Sequence, residues 1–159
     1  MKKDFDSIQK IEFQEKSFKD LSDIIRQNID ELQAIENVNG KILKSSAQEF
    51  EAILVNRNQI KSESTLNLNI LKESNSSRFI NRIDTSGYSI NITIKEENRT
   101  DENISFSLAN DDYELYWLKN SPGYSIAYSQ TETEKFTIKQ ISEEIWEDWL
   151  NKVGINFNI

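Results

Sequence analysis

"ILKSSAQEFEAILVNRNQI", residues 42–60, decides where helix gives way to sheet in this chain. Leu43, Ala47, Phe50, Leu54 and Arg57 recur at helical spacing, with Ile42, Ile53 and Ile60 beside them, which predicts a second helix. The centre of the stretch, "FEAILVN", reads equally as a short strand, because a brief apolar run satisfies either period. The first reading makes residues 1–62 a helical hairpin. The second leaves a single long helix at the N-terminus.

Upstream, apolar residues keep a helical period from Phe5 to Val38. Ile11, Phe18, Ile25 and Leu32 fall seven apart, and Leu21 and Ile35 occupy the interleaved row, as in the seam of a coiled coil. Gln14 and Asn28 share that interleaved row, where polar residues weaken packing but set register. Gly40, in "NVNGK", is expected to take the left-handed position that follows a helix. Such a seam needs cover. Either the second helix supplies it, or a second copy of the chain does, with Phe18, Leu21, Ile25 and Leu32 as the contacts of a homodimer.

Downstream, the period changes to alternation. Leu66, Leu68 and Ile70 alternate with polar neighbours, as do Tyr88, Ile90, Ile92 and Ile94; Ile104, Phe106 and Leu108; Tyr113, Leu115 and Trp117; and Tyr124, Ile126 and Tyr128. That pattern predicts about five strands of an antiparallel sheet buried on one face, with Asn67, Asn69, Asn91, Thr93, Ser105 and Ser107 on the wet face beside Tyr116 and Leu118. A further short strand or crossing loop is expected at Phe79 to Ile83.

Thr137 and Gln140 have the spacing of a capping box, and Ile141, Ile145, Trp146, Trp149, Leu150 and Val153 form one apolar stripe behind it. Glu143, Glu144, Glu147 and Asp148 make the opposite face of this last helix, which Gly154 ends. The expected fold is therefore α+β and a single domain: a helical segment over 1–62, the sheet over 63–136, and an amphipathic helix over 137–153 packed on the sheet.

Composition removes several chemistries. The chain has no histidine, so the usual base near neutral pH, the Ser-His-Asp arrangement and histidine metal sites are absent. It has no cysteine, which excludes disulfides and thiolate zinc sites. The glycines at 40, 87, 123 and 154 are isolated and form no phosphate cradle. A net charge of −8 with dispersed lysines and arginines argues against nucleic acid. No window suits a membrane span, and the early lysines precede no apolar run, so a cytoplasmic protein is expected. "NDDYE" is dense in acid but lacks the spacing of a calcium loop, and no metal or cofactor is expected.

Two surfaces remain as candidates for binding. One is the acidic helix face of Glu143, Glu144, Glu147 and Asp148, extended by Asp111 and Asp112 if the fold brings them near, and the other is the exposed side of the sheet, where small polar residues, Ser125 and Ser129 among them, flank Tyr116 as an anchor. The alternative is an aromatic cleft between helices and sheet for a small anionic molecule, lined by Tyr88, Tyr113, Trp117, Tyr128 and Trp146, with Arg78, Arg82 or Arg99 at its mouth. The first suits a non-enzymatic protein that inhibits, neutralises or chaperones a basic protein partner, in the manner of immunity proteins, antitoxin-like inhibitors or secretion chaperones. A structural role for the N-terminal seam is the third expectation.

Overall fold

The computed structural model describes residues 4–58, 62–72, 85–120 and 134–155. Helix α1 (Ser7–Leu32) leads into six strands, β1 (Val38–Ser45), β2 (Glu49–Asn56), β3 (Ser62–Lys72), β4 (Thr85–Glu96), β5 (Glu102–Asn110) and β6 (Leu115–Lys119), and the chain closes with α2 (Ile138–Lys152). The strands lie side by side in chain order, every pair antiparallel, as one open sheet. The α+β class, the N-terminal helix, the half-exposed sheet and the packed C-terminal helix are as the sequence predicts, with one strand more than expected.

The difference lies in residues 42–60. The described part, 42–58, forms no second helix; Ile42 belongs to β1, and Phe50 to Asn56 belong to β2, which buries Phe50, Ala52, Leu54 and Asn56 alternately. Phe50 and Leu54 satisfy both periods, but Ile53 and Val55 are β-branched and face outward, where a pleated surface accommodates them. The turn at Ser46 fixes the hairpin. Its Oγ accepts from the backbone N–H of Gln48 and Glu49, and its own N–H donates to the Glu49 carbonyl at 2.8 Å.

Helix α1 also stops earlier than Val38. Asp6 and Gln9 cap its start reciprocally, at 2.8 and 2.9 Å, and a tight turn over 33–37 ends it with Asn37 at φ 65°. Asn37, not Gly40, takes the left-handed position. Gly40 lies inside β1, where an added Cβ would fall 2.7 Å from Ile29 Cγ2 and 2.9 Å from Leu54 Cδ2. Its role is close approach of α1 to the sheet.

Both helices cover the same face of the sheet. Phe18, Leu21, Ile25 and Leu32 are buried in a core shared with Leu54, Leu66, Ile92, Phe106, Ile145 and Trp149. These four side chains are thus covered by this chain's own strands and α2 and are not a surface for a second copy, whereas Ile11, at the start of the seam, is exposed. Polar side chains pin the layers together: Gln14 Nε2 donates to the carbonyls of Leu71 and Ser89 at 3.0 Å, Trp117 Nε1 to Ser17 Oγ at 3.1 Å, and Asn56 Nδ2 to the Val153 carbonyl at 2.8 Å. On the outer face Ser105 donates to Asn91, Thr93 to Asn103 and Asn69 to Asn67, each at 3.0 Å. Leu118 lies on that face but is buried. Tyr113 precedes β6 in an exposed turn, and the strands expected over 79–83 and 124–128, with Ser125 and Ser129, lie outside the described residues. No described helix is long and apolar enough to cross a membrane.

Candidate binding surface on the C-terminal helix

The predicted capping box starts α2. Thr137 N–H donates to Gln140 Oε1 at 2.8 Å and Gln140 N–H to Thr137 Oγ1 at 3.2 Å. From that start, helical periodicity turns Ile141, Ile145, Trp149 and Val153 into the core and aims Glu144 and Asp148, one turn apart, at the edge of the sheet. The start of β5 and the end of β6 meet at that edge because the two strands are antiparallel. Together they enclose an open groove of about 360 Å³, lined by Glu102, Ile104, Lys119, Glu144, Glu147, Asp148 and Asn151.

Four carboxylates in this groove face two ammonium groups. Lys119 Nζ lies 3.0 Å from Glu144 Oε1, and Lys152 Nζ lies 2.8 Å from Glu102 Oε1 and 3.9 Å from Asp148 Oδ1. The second oxygen of Glu144 is buried with no hydrogen-bond partner. Burial, then the hydrogen bond and like charge of Glu102, push the Asp148 carboxyl up to about 6. The same hydrogen bond, aided by Lys152, holds Glu102 below the usual carboxylate range against the effect of burial. The two carboxyls therefore titrate as a pair that resists losing its last proton, and at neutral pH the two negative charges are crowded together. Such a site attracts cations. Among the described residues no group of three or more acids is placed to hold a metal ion.

Of the predicted acidic face, Glu144, Glu147 and Asp148 meet in the groove, whereas Glu143 is exposed outside it. Asp111 and Asp112 do not extend it: they follow the far end of β5, nine residues and so about 30 Å from Glu102. There Lys135 Nζ binds Asp111 Oδ2 at 2.6 Å and Glu114 Oε2 at 2.7 Å and lies 4.7 Å from the Tyr116 ring centroid, covering the expected anchor. Glu102 and Lys119, which line the groove, and Lys152, which pairs with Glu102 and Asp148 from beside it, are residues that sequence reasoning missed; "TDE" at 100–102 reads locally as the polar end of a hairpin.

The predicted aromatic cleft is not one place. Trp117 packs on Phe13 and Ser17 of α1, and Trp146 beside Leu32 and Ile35, about 20 Å further along that helix. Tyr88 is buried under Lys72, Tyr113 is exposed, and Arg99 sits in the exposed β4–β5 turn; Tyr128, Arg78 and Arg82 lie outside the described residues. A cavity of about 330 Å³ does open beside Trp117, Phe13 and Phe136, but the lysines at its mouth, Lys16 and Lys135, are already paired with Asp20 and with Asp111 and Glu114. It offers no spare positive charge to an anion.

The Y4lF protein domain matches residues 39–151, more than two thirds of the chain. The chain belongs to this family. Its Y4lF domain runs from the second residue of β1 to the next-to-last residue of α2, so the whole sheet and the acidic groove fall within it or at its border, and α1 lies outside the matched residues. No curated protein and no solved structure matches the chain.

Proposed function

We propose that this Y4lF protein is a non-enzymatic binding protein that covers a basic protein partner through the acidic groove of α2, inhibiting, neutralising or chaperoning it. The observation that carries this reading is the crowding of Glu102 and Asp148. Two carboxylates that resist joint ionisation gain from an incoming ammonium or guanidinium group, which relieves their repulsion. Glu144 and Glu147 extend the negative potential along the same groove, and steering by such a field raises the rate of encounter more than it raises affinity. Roles of the immunity, antitoxin or secretion-chaperone kind suit a surface that works by charge and shape. They also suit a cytoplasmic protein that makes or breaks no bonds.

The test uses oligo-lysine and oligo-arginine peptides of equal length as probes. Association with the full chain is expected to slow as salt rises, and to fall roughly tenfold at low salt when Glu144→Gln, Glu147→Gln and Asp148→Asn are combined. Equal association of the triple variant and the unaltered chain, at every salt concentration, overturns the reading.

A further inference from the structure

Trp146 and Trp149 differ in a way that the groove does not use. Their rings meet edge to face, centroids 5.7 Å apart at 78°, and Trp149 is fully buried while Trp146 is only half-buried. Trp146 forms a wall of a second opening, a slot of about 270 Å³ between α2 and the C-terminal end of α1, whose other lining residues are Asn28, Glu31, Leu32 and Ile35. Two of those are apolar, one is an amide and one a carboxylate. Glu31 is the carboxylate that lines the slot and is exposed on the α1 side, while on α2 Glu143 lies one turn before Trp146 and Glu147 next to it in sequence, both outside the lining. Among the described residues, none of these three carboxylates has a lysine or arginine within ion-pair distance.

Helical geometry places the acidic groove on one flank of α2 and the Trp146 slot on the other, with Glu143 and Glu147 as the ridge between them. An indole beside carboxylates without a cation partner, of which Glu31 accepts from Gln27 Nε2 at 3.3 Å, over an aliphatic floor, is complementary to one kind of side chain. A guanidinium stacks on the indole, directs its fork of N–H donors to a carboxylate, and covers Leu32 and Ile35 with its methylene stem. Lysine has the charge and the stem without the flat stacking face.

We propose that this slot takes an arginine side chain of the partner, stacked on Trp146 and bound to Glu31. The proposal rests on the reading that the partner is basic, and adds where its arginine anchors. The experiment follows the indole Nε1–H signals of the ¹⁵N-labelled full chain during titration with the same two peptides. Oligo-arginine is expected to shift the Trp146 signal while Trp117 and Trp149 stay in place, and to bind about fivefold more tightly than oligo-lysine. Trp146→Leu, which keeps apolar bulk, is expected to abolish that preference and leave the salt-dependent binding common to both peptides. A stationary Trp146 signal in the unaltered chain, or a preference that survives in Trp146→Leu, overturns the arginine anchor. Salt-dependent binding of both peptides without preference sinks the anchor and leaves the basic-partner reading standing; binding of neither peptide sinks both.

Discussion

Strand β5 has acid at both ends, in opposite states. Beyond its C-terminal end, Asp111 and Glu114 share Lys135, and Asp111 Oδ1 also accepts from the backbone N–H of Tyr113 and Glu114 at 2.8 Å. The Lys135 hydrogen bond, followed by the two backbone donors, holds the Asp111 carboxyl down to about 2. At the N-terminal end, Glu102 meets Asp148, whose carboxyl burial and Glu102 push up to about 6. Both segments are dense in acid, three carboxylates over 111–114 and four over 143–148, yet only at Asp148 does burial beside a second carboxylate raise the carboxyl. Local composition reports how much charge a segment carries; whether that charge is already answered depends on what other elements bring to it.

The contrast depends on α2 being held against the sheet, so the largest expected effect comes from loosening it. Trp149 is fully buried and its Nε1 donates to the Ser64 carbonyl at 3.3 Å, so Trp149→Ala leaves a cavity and removes that hydrogen bond. A loss of about 3 to 5 kcal/mol is expected, seen as a fall in Tm of roughly 10 °C. In the folded fraction the Asp148 titration midpoint, read from carboxyl ¹³C shifts, should drop toward 4 while Asp111 stays near 2. A midpoint for Asp148 still near 6 would mean that docking of α2 does not cause the crowding.

How far the sequence reveals this arrangement varies by element. The capping box of Thr137 and Gln140 and the stripe behind it are local signals, and α2 follows directly from them. Strands β3, β4 and β5 alternate cleanly because one face is core and the other is wet. Residues 42–60 were ambiguous because Phe50 and Leu54 fit both periods; the deciding features are the outward Ile53 and Val55 and the hydrogen bonds of Ser46. The α1 seam misleads for a related reason. Over so few turns, a helix lying on a sheet and a helix in a coiled coil need nearly the same stripe. Glu144, Glu147 and Asp148 were legible as one helix face, but Glu102 reaches them only through strand register, which no local pattern encodes.

The next effect is smaller and distinguishes the two ends of β5 directly. The Asp148 carboxyl is raised above its value of about 3.9 in an unfolded chain, so the folded state holds a proton that the unfolded state has released. Stability therefore falls as pH rises from about 4 to about 6, and the full penalty is present above that. Asp148→Asn removes it and is expected to stabilise the protein at neutral pH by up to about 1 kcal/mol, the partial exposure of the site screening the rest. Below about pH 4 the gain should vanish. Urea melts at the two pH values check this, and an asparagine variant less stable than the unaltered chain at neutral pH counts against crowding at Asp148.

Asp111→Asn is the same chemical change at the other end of the strand, and its sign is reversed. Here the folded carboxyl is held below its unfolded value, so it contributes stability above about pH 4 that is lost as pH falls toward 2. The variant keeps an oxygen to accept from Tyr113 and Glu114 but loses the ion pair with Lys135, and a small destabilisation at neutral pH is expected, the least of the three effects. Salt separates the causes. The Asp111 pair is exposed, so its contribution should shrink as ionic strength rises, whereas the leading cause at Asp148 is burial, which mobile ions do not relieve. If high salt erased the Asp148→Asn gain as fully as the Asp111→Asn loss, both ends of β5 would be governed by surface charge alone, and the groove would hold no more unsatisfied charge than the turn.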